Sequence, residues 1–244
     1  MNATTNVQRT PPRSRERTHG RSPLALLATV SLALVLGVMA VVLLQGDPAQ
    51  AQQLGSTSQP AAARIVRLTF DDGPVRTNTP RVLNVLSRYR VKATFFVVGQ
   101  KARRYPRLVK REYREGHSVQ NHTYTHPDLT TLGPVGIRRE LRATNRAIKA
   151  AGVPRPYRFR PPYGVTNAKV RSVGASLGLI QTLWSVDPRD WADPPASVIC
   201  RRVVSNVRPG SIVLLHDGSG ANTEEALPCI IKRLRAQGYG FGKL

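Results

Sequence analysis

From Ile65 onward, short apolar runs alternate with amphipathic stretches six times in succession. Ile65–Phe70, Ala93–Val98, His117–Gln120, Tyr157–Arg160, Leu179–Ser185 and Ser211–Leu215 have the length and composition of strands. Between and after them lie helix-like stretches: Pro80–Tyr89, Pro106–Glu115, Pro134–Ala151, Asn167–Leu177, Pro195–Val207 and Thr223–Gln237. The first of these turns Val82, Leu83, Val85 and Leu86 to one side, and the third Ile137, Leu141 and Ile148. Such alternation predicts an α/β fold, a mostly parallel sheet or barrel covered by helices. In those architectures the C-terminal ends of the strands gather around the active site.

Chemistry-bearing residues fall at those ends. Asp71 and Asp72 follow the first strand, and Gly73-Pro74 then turns the chain. Neighbours on a strand face opposite ways, so the two carboxylates are expected to have different tasks. Asp is a poor strand former and is costly to bury unpaired; a cation is its natural partner. Arg160, Asp187, Asp190 and His216 also lie just after strand-like runs. His122 and His126, spaced i, i+4, present both imidazoles on one face if helical, and with Asp72 they make a three-ligand set for a divalent ion with positions left for water and substrate. Taken singly, each has a duller reading: Arg160 a surface or ion-pairing cation, Asp190 a helix cap, His216 and Trp191 core. His117 fits no such pattern and reads as structural.

The rest of the chain bears on compartment. The formal net charge is +23. Five arginines against one glutamate in the first 22 residues account for only part of it. Nucleic acid is the first partner such a charge suggests, but the cations are scattered and no helix-turn-helix, zinc-finger or aromatic RNA-binding signature is present. An anionic cell envelope is the expected environment, a solubilising bias the alternative. After the basic tail (1–22), Leu24–Leu44 is uncharged and apolar, long enough to span a bilayer. Charge before it keeps the N-terminus inside. Residues 23–45 are thus expected to be a transmembrane anchor, or a signal cleaved after Ala51 at Ala49-Gln50-Ala51. Either way the domain, 64–244, is exported behind a linker, 46–63. The two cysteines, Cys200 and Cys229, are then either a disulfide in an oxidising compartment or two small buried apolar residues.

Five short motifs occur in order: Thr69–Pro74, His122–His126, Arg160–Gly164, Asp187–Trp191 and Leu214–His216. Together they resemble those of the polysaccharide deacetylase family, the NodB-homology domain, over Ile65 to Leu244. The resemblance implies a distorted, incomplete (β/α) barrel and a metal-dependent N-deacetylase of N-acetylglucosamine-type polysaccharide, peptidoglycan or chitin-like. Asp72, His122 and His126 would hold zinc, or cobalt or another divalent ion. Asp71 would be the general base, paired with Arg160. The Tyr163 backbone N–H would stabilise the oxyanion, and His216, held by Asp190, would protonate the leaving amine. Trp191 and Leu214 would line the pocket for the acetyl methyl. A monomer is expected, with polysaccharide, membrane and envelope as its partners. Rival readings are an O-acetyl esterase using the same metal site and a non-catalytic wall-binding scaffold. A glycosidase is disfavoured, because adjacent carboxylates are poorly placed to flank one bond. A nucleotide loop at Gly218-Ser219-Gly220 lacks its third glycine.

Overall fold

The computed structural model describes residues 64–220 and 222–244. In chain order these form β1 (Ile65–Asp71), α1 (Asn78–Arg88), β2 (Thr94–Val97), α2 (Gly99–Arg104), α3 (Pro106–Arg114) and β3 (Ser118–Asn121). There follow α4 (Pro134–Ala150), β4 (Arg158–Phe159), α5 (Ala168–Ser176), β5 (Ile180–Gln181), α6 (Ala196–Asn206), β6 (Ile212–His216), α7 (Thr223–Ala236) and β7 (Gly240–Phe241). The six expected alternations are all present. Helix α2 and strand β7 are additional, being too short to show a period in sequence.

Alternation along each strand sorts the two faces of the sheet. Val66, Leu68 and Phe70 of β1, Phe95 and Val97 of β2, and Val213 and Leu215 of β6 join the main apolar core beneath the helices. The intervening Thr69, Asp71, Thr94, Phe96, Leu214 and His216 face the other way, into the curl of the sheet. A second core, with Leu129, Ile137, Leu141, Phe159 and Val170, lies around α4 and α5. The helix-facing layer is therefore apolar, and the concave side carries the polar groups.

Every strand pair is parallel, in the order β5-β4-β3-β2-β1-β6, with β7 beside the start of β1. The segment after β5 almost closes this sheet into a barrel. Thr182 N donates to Phe159 O at 2.9 Å, and four residues later Val186 N donates to Ile212 O of β6 at 3.1 Å. Between these points the ladder is interrupted, and the carbonyls of Thr182 and Leu183 accept from Nε and Nη2 of Arg160, both at 3.2 Å. Buried carbonyls must find donors. Here a fully buried guanidinium supplies them and bridges the gap in the barrel wall.

Within the helix layer, a disulfide joins Cys200 of α6, buried in the main core, to Cys229 of α7. The apolar stretch Leu24–Leu44, its basic tail and its linker lie outside the described residues. Among the described residues no helix is long and apolar enough to cross a membrane.

Candidate active site

At the C-terminal end of β1 the strand rule fails, and the failure builds the site. Asp72 has φ 70 and Gly73–Pro74 is a cis peptide. A left-handed conformation is uncommon for a non-glycine residue and concentrates at functional sites. It turns Asp72 back, so that both carboxylates line one cavity of about 450 Å³ instead of facing opposite ways. The bend is packed against the loop after β6. A Cβ on Gly73 would lie 2.2 Å from Asp217 Oδ2, and one on Gly218 would lie 2.1 Å from the Asp72 carbonyl. Only glycine permits these two loops to touch.

His122 and His126 do not share a helix. They follow β3 in a loop, with Thr123 at φ 64 and His126 at φ 62, and backbone bends bring the rings to 4.9 Å. The helix on which a shared face would have depended does not form, because side chains outside the loop capture its backbone. Asn121 Oδ1 accepts from Thr123 N, and Glu140 Oε2 of α4 accepts from both Tyr124 N and Thr125 N, each at 2.8 Å. Glu140 Oε1 also accepts from Thr125 Oγ1 at 3.1 Å. One buried carboxylate thus moulds the histidine loop.

Asp72 Oδ1 lies 3.4 Å from His122 Nε2 and 3.0 Å from His126 Nε2. His122 Nδ1 is 2.8 Å from the Arg160 carbonyl. A carbonyl only accepts, so Nδ1 carries the proton and Nε2 turns its lone pair towards Asp72. Asp72 Oδ1 is buried and accepts no hydrogen bond. Three ligand atoms within 4.8 Å of one another, one an orphaned carboxylate oxygen and two imidazole nitrogens, fit a divalent cation in both geometry and donor chemistry.

Asp71 and His216 are rung partners across the parallel pair β1–β6, side by side on the concave face. Arg160 Nη1 donates to Asp71 Oδ1 at 2.7 Å and to Thr69 Oγ1 at 2.9 Å, while its Cζ lies 4.1 Å from the Phe96 ring centroid. Asp71 Oδ2 is 3.7 Å from His122 Nε2. His216 Nδ1 donates to Asp190 Oδ1 at 2.8 Å, and His216 N and Thr223 Oγ1 donate to Asp190 Oδ2 at 2.8 and 2.6 Å. Burial alone would lower the pKa of His216. The hydrogen bond and charge of Asp190, with Asp71 and Asp72 farther off, raise it to about 9. At neutral pH the cavity therefore offers an imidazolium beside a carboxylate.

Leu214, Trp191, Trp184 and Tyr163 give the cavity its apolar walls. Tyr163, at φ 62, packs its ring 4.9 Å from His126. All ten residues expected to act as catalytic, pocket or ligand groups are brought together here or, for Arg160 and Asp190, directly behind. His117 stands apart. Its Nδ1 accepts from Ala93 N at 3.1 Å, and burial, with Lys92, Lys243 and Arg111 nearby, lowers its pKa to about 4.

Sequence reasoning passed over five supporting groups. Glu140 was detectable as an acid on the inward, Ile137–Leu141 face of an arginine-rich helix. Trp184 sits in a strand-like run with no feature marking it. Lys101 Nζ donates to the Asp72 carbonyl at 2.7 Å and Ser219 Oγ to Asp72 Oδ2 at 3.1 Å. Asp217, fully buried, accepts from Thr79 Oγ1. Burial foremost, with Asp72 and Asp71 adding to it against Thr79 and Lys101, raises its pKa to about 7. This limits the negative charge that accumulates beneath Asp71 and Asp72.

A family model described as polysaccharide deacetylase matches residues 58–181. The chain is 49% identical over 157 residues to a chitooligosaccharide deacetylase of Sinorhizobium fredii, covering 64% of this chain and 73% of that protein. It is 39% identical over 186 residues to a peptidoglycan-N-acetylglucosamine deacetylase of Bacillus cereus, covering 75% and 87%. Among solved structures, a family 4 carbohydrate esterase from Streptomyces lividans in complex with acetate superposes with a TM-score of 0.70. That match has 42% identity and covers 73% of this chain and 91% of the other.

Proposed function

The chain belongs to the polysaccharide deacetylase family, and from that premise we propose that it hydrolyses N-acetyl groups from an N-acetylglucosamine polymer at the cell envelope. Peptidoglycan is the first candidate polymer and a chitin-like chain the second. The observation that carries the reading is the pairing of Asp71 and His216 on one rung of adjacent strands, facing one cavity beside the Asp72–His122–His126 cluster. Amide hydrolysis needs a base for water and an acid for the amine, and these two groups supply them from neighbouring strands.

Asp72, His122 and His126 would hold a divalent ion, which we take to be zinc, although the donor set also accepts cobalt. When bound there, such an ion polarises an acyl carbonyl and makes nearby water more acidic. Asp71, kept ionised and aimed by Arg160, takes the proton of the attacking water. The Tyr163 backbone N–H donates to the developing oxyanion. His216 delivers its Nε2 proton to the departing nitrogen, and Asp190 stabilises the imidazolium before transfer. Leu214 and Trp191 seat the acetyl methyl, and Trp184 completes that wall. Leu24–Leu44 behind its basic leader supports an exported domain, tethered or released by cleavage after Ala51.

The test is acetate release from N-acetylglucosamine oligomers and from peptidoglycan, with added zinc and then with excess chelator. Release that stops with the chelator supports the reading, and the faster substrate names the polymer. Release only from O-acetylated glycans overturns it in favour of an esterase. Bound metal with no release from any glycan leaves the scaffold role.

A further inference from the structure

Between Asp128 and Asp187 the chain has ten lysines and arginines and a single acid, Glu140. That acid is consumed by the histidine loop. The exposed cations of helix α4 therefore find no free acid within this stretch of sequence. Arg139, Arg142, Arg146 and Lys149 are spaced three, four and three residues apart and are all exposed, so they form one stripe about 15 Å long. None of them takes part in an ion pair among the described residues, whereas Arg81 and Arg111 elsewhere are paired with Glu224 and Glu115. Like charges at this spacing repel one another along a helix. The arrangement is electrostatically unfavourable until an anion lies along it.

The surface beside the stripe is concave. A cleft of about 620 Å³ is bordered by Arg103, Tyr124, Arg139 and Arg146. A second cleft, of about 760 Å³, is bordered by Arg142, Arg146, Lys149 and Arg155. Arg146 belongs to both. Clefts flanking a cationic ridge suit a chain that can settle into them better than a flat bilayer surface. The guanidinium fork, which dominates this set, matches the paired free oxygens of a phosphodiester.

We propose that the α4 stripe, with Arg103 and Arg155, is a binding site for a linear phosphodiester polyanion, outside the catalytic cavity. Tyr124, between the two histidines of the cluster, forms part of its wall, so polymer held there lies against the histidine loop. The site is independent of the catalytic reading and is tested without turnover.

The experiment titrates fluorescently labelled poly(glycerol phosphate) with the full chain at several salt concentrations. A variant carrying R139Q, R142Q, R146Q and K149Q is compared with a control carrying R88Q, R201Q, K232Q and R233Q. The control removes four charges from exposed positions on α1, α6 and α7. Glutamine is a good helix former, and equal melting temperatures check that all three proteins are folded. The stripe variant should lose affinity at least about tenfold at ~0.15 M salt, with the salt slope reduced by about three, at roughly 0.7 per phosphate contact. The control should stay near the parent. Equal losses in both variants would show that net charge alone attracts the polymer and would overturn the site. So would absence of binding, or binding confined to phosphatidylglycerol vesicles.

Discussion

Replacing Asp190 by asparagine removes the group that keeps His216 charged, and the consequence can be worked from the structure. Both carboxylate oxygens of Asp190 are engaged, one by His216 Nδ1 and the other by His216 N and Thr223 Oγ1. The rise of His216 from 6.5 to about 9 occurs against burial, which is the largest influence and acts downward. With Asp190 neutral, only the weaker charge effects of Asp71 and Asp72 are left to oppose that burial, and the pKa is expected to return to about 6.5 or below. At roughly 1.4 kcal/mol per pH unit, the lost preference for imidazolium is about 3 kcal/mol. Two readouts follow. Acetate release by Asp190→Asn at pH 7.5 should fall by about 10²-fold or more, the contribution of a general acid, and its alkaline limb should move from near 9 to below about 6.5. Stability of the metal-free protein gives the second. Because the folded pKa of His216 is the raised one, its contribution is complete below pH 6.5 and is lost as pH climbs through about 9. In the variant this loss between 6.5 and 9 should vanish. Observation by NMR of His216 in Asp190→Asn still titrating near 9 would refute the reasoning.

Two further outcomes bear on groups around the site. Glu140→Gln leaves one acceptor oxygen for the Tyr124 N, Thr125 N and Thr125 Oγ1 donors, so zinc affinity by competition titration should fall about 10- to 100-fold while the fold persists. Changing Cys200 and Cys229 together to alanine opens a bridge across a separation of 29 residues. Thermal unfolding should report a loss of about 3–4 kcal/mol, with kcat/KM for acetate release unchanged at a temperature where both proteins are folded.

The helical positions that the sequence revealed are those long enough to repeat. Val82, Leu83 and Leu86, or Ile137, Leu141 and Ile148, disclose a helix because one face of several turns must be apolar. Strands were legible as apolar runs, as at Ile212–Leu215. The two-residue strand β7 and the short α2 were not recognisable, since so few residues establish no period. Glu140 could have been noticed as an acid on an apolar face, but its partners, two amides 15 and 16 residues earlier, could not. Trp184 gives no sign in one dimension that it stands over the site.

What the sequence determined by itself is the order of strands and helices and the set of reactive side chains at strand ends. These are local properties, readable from periodicity and motif. Only the tertiary structure decided how those side chains meet. The curl of the sheet makes Asp71 and His216 rung neighbours although 145 positions separate them in sequence. The left-handed turn at Asp72 cancels the alternation that would have parted it from Asp71. Arg160 lies where the barrel ladder is interrupted, so one buried guanidinium both closes the wall and holds Asp71. Each of these depends on backbone groups distant along the chain that must be satisfied together, a condition that exists only once the chain has folded.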